Sequence, residues 1–169
     1  MKETRKSTRS RDVALAAILA ALYAAGVYFF APISFAVVQV RVSDALLPLS
    51  ILFGPPAVVG LGIGVFIGNF ANPFSLGPID VVGGTVANVL ATALAWQICK
   101  RKFRGAWVSA VAVEILVITF IVGSYLAYLT STPIVLSWSY VAAGEVVAVG
   151  LGGYALLTAV TRVIKGKQV

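Results

Sequence analysis

Six apolar runs, separated by short polar or turn-forming breaks, make up almost the whole chain. The first, 12–31, reads DVALAAILAALYAAGVYFFA and is long enough to cross a hydrocarbon core of about 30 Å as a helix. Residues 43–53 predict a short helix of about 16 Å at 1.5 Å per residue. It is reached through a loop from Pro32 and Ser34 to Arg41. Gly54-Pro55-Pro56 then interrupts the apolar pattern. Proline removes an intrahelical donor and disfavours helical geometry in the residue before it. The stretch Gln39–Asn72 therefore reads as a hairpin of two embedded helices, the second over 55–70. Further helices are predicted over 79–99, 106–129 and 137–164, with loops at 71–78 and 130–136.

Small residues recur every four positions along several of these runs. Ala16, Ala20 and Ala24 form one row, Ala17, Ala21 and Ala25 another, and Gly60, Gly64 and Gly68 a third. Gly83, Ala87, Ala91 and Ala95 form a fourth, with Asn88 beside it. In lipid such rows let helix backbones approach closely. The Ala16/Ala20/Ala24 row has two readings: internal packing, or a docking face for a partner protein. Gly60-x-Gly62-x-Gly64 lies inside an apolar helix with no preceding strand, so it is not a dinucleotide fingerprint.

Composition places the chain in the membrane. Hydrophobic residues are 60% of it and charged residues 11%, against roughly a quarter charged in soluble domains. The net charge of +7 comes from basic groups at residues 2–11, 100–104 and 162–167. Basic groups flanking apolar spans mark cytoplasmic loops, and they give no reason to expect nucleic acid. If all three groups lie inside, even numbers of crossings separate them, and 39–72 must cross twice. The expectation is an all-α bundle of six transmembrane helices in the plasma membrane, with both termini cytoplasmic. Residues 1–11 and 165–169 would be tails, and 12–164 one domain. No clear cleavage site follows the first helix, so it is expected to be retained. One cysteine and no histidine leave no internal disulfide and no reason to expect a transition metal or other cofactor. There is no G-x-x-x-x-G-K-[ST] loop to hydrolyse ATP, and no nucleophile beside a base that would suggest an enzyme.

Five ionisable residues stand apart from the basic groups: Arg41, Asp44, Asp80, Glu114 and Glu145. A carboxylate at mid-membrane costs roughly 2.5–3.5 kcal/mol on insertion scales. Arg41, Asp44 and Asp80 are expected at outer helix ends, where a local ion pair or a complement to the helix dipole would also account for them. Glu114 and Glu145 each fall about 12 Å from a helix end, near the midplane. Asn69, Asn72 and Asn88 add amides, Asn88 equally suited to an interhelical hydrogen bond. Phe70, Phe74, Tyr125, Tyr128, Trp138 and Tyr140 gather on the same outer side, as interfacial aromatics do. Together, carboxylates, amides and flat aromatics suit a planar nitrogen-rich heterocycle.

Val40-Arg41-Val42-Ser43-Asp44-Ala45-Leu46, the apolar hairpin, Gly68-Asn69 and Asp80-Val81-Val82-Gly83-Gly84 resemble the QueT family over essentially the whole chain. These are substrate-binding S components of energy-coupling factor (ECF) transporters, associated with queuosine precursors. The resemblance implies six helices, an outward-facing pocket and a 7-deazaguanine ligand such as preQ0, preQ1 or queuine. It also implies an energising module of one transmembrane coupling subunit and two ATPases, with Ala16, Ala20 and Ala24 similar to the docking face. Arg41, Asp44, Asn69, Asn72, Asp80, Asn88, Glu114, Trp138, Tyr140 and Glu145 are the candidate substrate contacts. The alternatives are an S component for another vitamin or amino acid, or a proton-coupled carrier working alone through Glu114 or Glu145.

Overall fold

The computed structural model describes residues 2–34 and 40–166. The described residues form a bundle of helices without strands. Helix α1 is Lys2–Phe29, and a single further turn follows it at Ala31–Ser34. Helix α2 is Val42–Phe53, α3 Pro55–Ala71, α4 Pro78–Lys100, α5 Ala106–Thr130 and α6 Ile134–Gly166. By length and composition α4, α5, α6 and the Arg9–Phe29 part of α1 are long and apolar enough to cross a membrane, while α2 and α3 are shorter apolar helices. Residues 2–11, expected as a tail, continue the first helix; part of the loop expected from Pro32 to Arg41 lies outside the described residues.

Two segments are wound differently from the expectation. Val42–Leu49 is a 3-10 helix and only Ser50–Phe53 is α-helical. At about 2 Å rise per residue in its 3-10 part, α2 reaches about 22 Å, which offsets its small residue count. In α6, Val146–Gly153 is a π-helix that begins directly after Glu145. The two irregular segments pack on each other: a Cβ on Gly153 would lie 2.8 Å from Cγ of Pro48, so only glycine admits the proline ring there.

Gly54 makes the hairpin turn. Its φ of +62° lies in the left-handed region, which glycine adopts without steric cost. Its N–H ends α2 on the Ser50 carbonyl at 2.8 Å, and its own carbonyl receives the first N–H groups of α3, those of Ala57 and Val58. Pro55 follows at the first helical position, where no donor is missed.

The glycine row of α3 is the seat of α1. A Cβ on Gly60 would fall 2.4 Å from the Ala16 carbonyl oxygen, and one on Gly64 2.8 Å from that of Ala20. Ala16 and Ala20 are therefore occupied by α3 within the bundle, and Ala24 is half-buried. A free face at Ala16, Ala20 and Ala24 is not what the fold provides; the row that stays exposed on α1 is Ala17, Ala21 and Ala25. Ala87, Ala91 and Ala95 of α4 are fully buried, and Gly83 admits the Tyr125 ring of α5. Leu47, Leu61, Val65, Ile118 and Val149 fill the centre.

A candidate substrate site at one end of the bundle

Six helix termini converge at the end of the bundle opposite the basic residues of the 100–104 turn. They are the C-termini of α1, α3 and α5 and the N-termini of α2, α4 and α6. Polar side chains follow the helices inward from this end. Arg41, Asp44, Asn69, Asn72, Asp80, Asn88, Glu114 and Glu145 are all at most 5% exposed. Burial of that many polar groups is tolerated only where they meet partners, and the partners sort them into two layers.

The outer layer is organised by Asp80. Its Oδ1 accepts from Tyr125 Oη at 2.9 Å and lies 3.4 Å from Arg41 Nη2, and its Oδ2 accepts from Ser75 Oγ at 3.1 Å and the Leu76 N–H at 3.2 Å. Both oxygens are engaged, so Asp80 fastens the 72–77 turn to α2 and α5. Asn69 Nδ2 donates to the Asp80 carbonyl at 3.4 Å, while Asn69 Oδ1 has no partner. Asn72 is a tie: Nδ2 reaches the Val27 carbonyl of α1 at 3.3 Å, and Oδ1 accepts the Phe74 N–H at 2.9 Å. An open cavity of about 420 Å³ beside Asn69 and Asn72 is lined otherwise by Phe66, Phe70, Ser75 and Val81 among others.

The inner layer is centred on Asp44. Its Oδ1 accepts from the Tyr23 hydroxyl and from Asn88 Nδ2 at 3.2 Å, and Asn88 Nδ2 also reaches Tyr23 Oη at 2.9 Å. Asp44 Oδ2 and Glu145 Oε2 are enclosed, and no donor in the protein meets either. Deeper still, Ser50 Oγ donates to Glu114 Oε1 at 3.4 Å, and Glu114 Oε2 has no partner. The arrangement is a set of fixed acceptors facing inward from α2, α5 and α6, with amide and hydroxyl groups from α1, α3 and α4 around them. Among the described residues no group of three or more His, Cys, Asp or Glu is placed to hold a metal.

Sequence reasoning selected most of this cluster but not all of it. The fold brings Arg41, Asp44, Asn69, Asp80, Asn88 and Glu145 into one polar column, with Glu114 at its foot. It does not bring Trp138 and Tyr140 there. Trp138 donates to Ser124 Oγ at 3.0 Å and meets Phe120 edge-on at 5.1 Å, and neither it nor Tyr140 makes a polar contact with the acids. Phe70, Phe74 and Tyr128 are exposed. Tyr23 was missed, although it is fully buried at the centre of the cluster. The available signal was its place as a phenol in the middle of an alanine-rich helix, five residues before Tyr28 at the helix end. Tyr125 was expected as a flat ring, yet its hydroxyl is what engages Asp80.

No curated protein and no solved structure matches the chain. A family model described as "QueT transporter" matches residues 13–162, which contain every residue of the polar column. An all-helical membrane bundle with buried acids near one end, matched along nearly its full length, is a transport protein, and the chain belongs to the QueT transporter family.

Proposed function

We propose that this chain is the substrate-binding subunit of an energy-coupling factor importer. It captures a queuosine precursor, a 7-deazaguanine such as preQ0, preQ1 or queuine, from the outer side of the plasma membrane. The observation that carries the reading is the inner layer of the site. Asp44 and Glu145 each hold an oxygen without a donor inside the bundle, and the amino and ring N–H groups of a deazaguanine edge are paired donors of the kind a carboxylate accepts. Arg41, Asn69 and Asn88 would read its carbonyl and ring nitrogens.

The orientation follows the basic residues: the 100–104 turn and the last turn of α6 face the cytoplasm, and the site opens outward. The chain carries no P-loop, so ATP is hydrolysed by partner subunits. Docking on a membrane coupling subunit falls to the exposed Ala17/Ala21/Ala25 row of α1, because α3 occupies Ala16 and Ala20. Uptake of labelled 7-deazaguanine should require the chain, the coupling subunit and the ATPases together. Uptake by the isolated chain in liposomes under a pH gradient alone would favour the stand-alone carrier instead, a reading that the fully buried Glu114 keeps in play.

A further inference from the structure

A second concavity lies at the opposite end of the bundle from the polar column. It is an open cavity of about 410 Å³, lined by Cys99 of α4, Lys102 and Phe103 of the turn that follows, Trp107 and Val108 of α5, and Tyr154 of α6 among others. The turn is shaped by left-handed residues, Lys102 at φ +49° and Gly105 at φ +87°. A Cβ on Gly105 would meet nothing within 4 Å, and no side chain caps the start of α5. The leading N–H groups of that helix, which have no partner within it, are therefore left uncovered beside Lys102.

Charge and depth both bear on what the cavity takes. Arg101, Lys102 and Arg104 are exposed, while Lys100 lies over the Trp96 ring at 4.5 Å. No acid stands on α4 after Asp80, on α5 before Glu114 or on α6 after Glu145, and all three of these acids are buried. The cations of the turn thus have no carboxylate beside them on the helices that build the cavity. At 1.5 Å per residue Tyr154 stands about 30 Å along α6 from Ile134, close to the thickness of a hydrocarbon core. That is the depth at which acyl chains give way to headgroups. Phe103 and Val108 expose apolar surface at the same place.

We propose that this cavity binds an anionic phospholipid, its phosphate at Lys102 and the start of α5 and its upper acyl carbons against Phe103, Val108 and Tyr154. A free phosphate would use the cation and the N–H groups but leave the apolar wall unused, so the wall selects a lipid. Placing that lipid in the inner leaflet rests on the orientation proposed above. The site itself is independent of the solute held in the polar column.

Native mass spectrometry of the purified full chain, titrated in detergent with phosphatidylglycerol or phosphatidylcholine, tests this. Phosphatidylglycerol should bind the wild type more tightly than phosphatidylcholine. Lys102→Asn keeps a residue that tolerates left-handed backbone, and it should weaken phosphatidylglycerol binding about fivefold. Lys165→Asn removes the same charge from an exposed position outside the cavity and should leave that binding unchanged. Equal losses in the two variants would reduce the effect to general attraction by a basic surface and overturn the proposal. Equal binding of the two lipids would overturn it as well. Glycerol phosphate should not displace the lipid at matched concentration; displacement would identify a soluble phosphate as the ligand and overturn the lipid assignment. None of these readouts involves a deazaguanine, so failure here leaves the transport reading untouched.

Discussion

A Cβ on Gly84 would lie 2.8 Å from Nδ2 of Asn69 and 3.5 Å from both Arg41 Nη1 and Tyr125 Oη. The missing side chain is what lets three polar groups, from the residue before α2, from α3 and from α5, meet on the surface of α4. Gly84→Ala should therefore displace Asn69 from the Asp80 carbonyl and weaken ligand binding by about tenfold, or about 1.4 kcal/mol. Calorimetry on Gly84→Ala, Asn69→Ala and the double variant checks this. The two losses should be less than additive, since both remove the same placement of the Asn69 amide.

Asp80 and Arg41 form a buried pair in which Asp80 also holds the 72–77 turn. Removing one member of a buried pair strands the other, at a cost of about 3–5 kcal/mol. Asp80→Ala should lower the thermal midpoint of the detergent-solubilised protein substantially. Asp80→Asn, which keeps an acceptor for Ser75 and Leu76, should lower it less. Equal midpoints for the two variants would show that the hydrogen bonds to the turn contribute little.

Tyr23→Phe tests the inner layer from the other side. It removes the hydroxyl that donates to Asp44 and accepts from Asn88, leaving buried polar groups short of a partner at about 1–3 kcal/mol. The expected result is a lower thermal midpoint together with weaker binding, because the same hydroxyl fixes the Asp44 carboxyl. Unchanged binding with a lowered midpoint would confine Tyr23 to a packing role.

The two alanine rows of α1 should separate folding from transport. Gly60→Ala places a methyl group against the Ala16 backbone and should destabilise the bundle outright. Ala21→Trp, on the exposed row, should leave the thermal midpoint and ligand affinity intact while abolishing uptake by the assembled transporter. Normal uptake by Ala21→Trp would remove this face from the docking surface.

Much of this architecture is legible in the residues before any coordinates. Gly54-Pro55-Pro56 announces the hairpin because proline removes a donor and pushes the residue before it out of helical geometry. The four-residue spacing of Gly60, Gly64 and Gly68 announces a close helix contact, but not its partner. Two alanine rows on α1 were equally eligible, and only the rotation of the helix in the bundle selects Ala16 and Ala20. Charge in an apolar run is a strong signal, so Asp44, Asp80, Glu114 and Glu145 stood out. Tyr23 did not, since a phenol is compatible with lipid, interface or core, and its role depends on what faces it. The 3-10 winding of Val42–Leu49 and the π-helix after Glu145 were also hidden. The two segments pack on each other, with Pro48 against Gly153.

The central claim is that a nitrogen-rich heterocycle is held by the Asp44–Glu145 layer. The measurement that tests it most directly is mass identification of small molecules extracted from wild type and Glu145→Gln, purified side by side from cells supplied with queuosine precursors. A 7-deazaguanine recovered with the wild type and depleted by about tenfold or more in Glu145→Gln is the predicted result. No such compound with either protein, or equal amounts with both, would contradict the account.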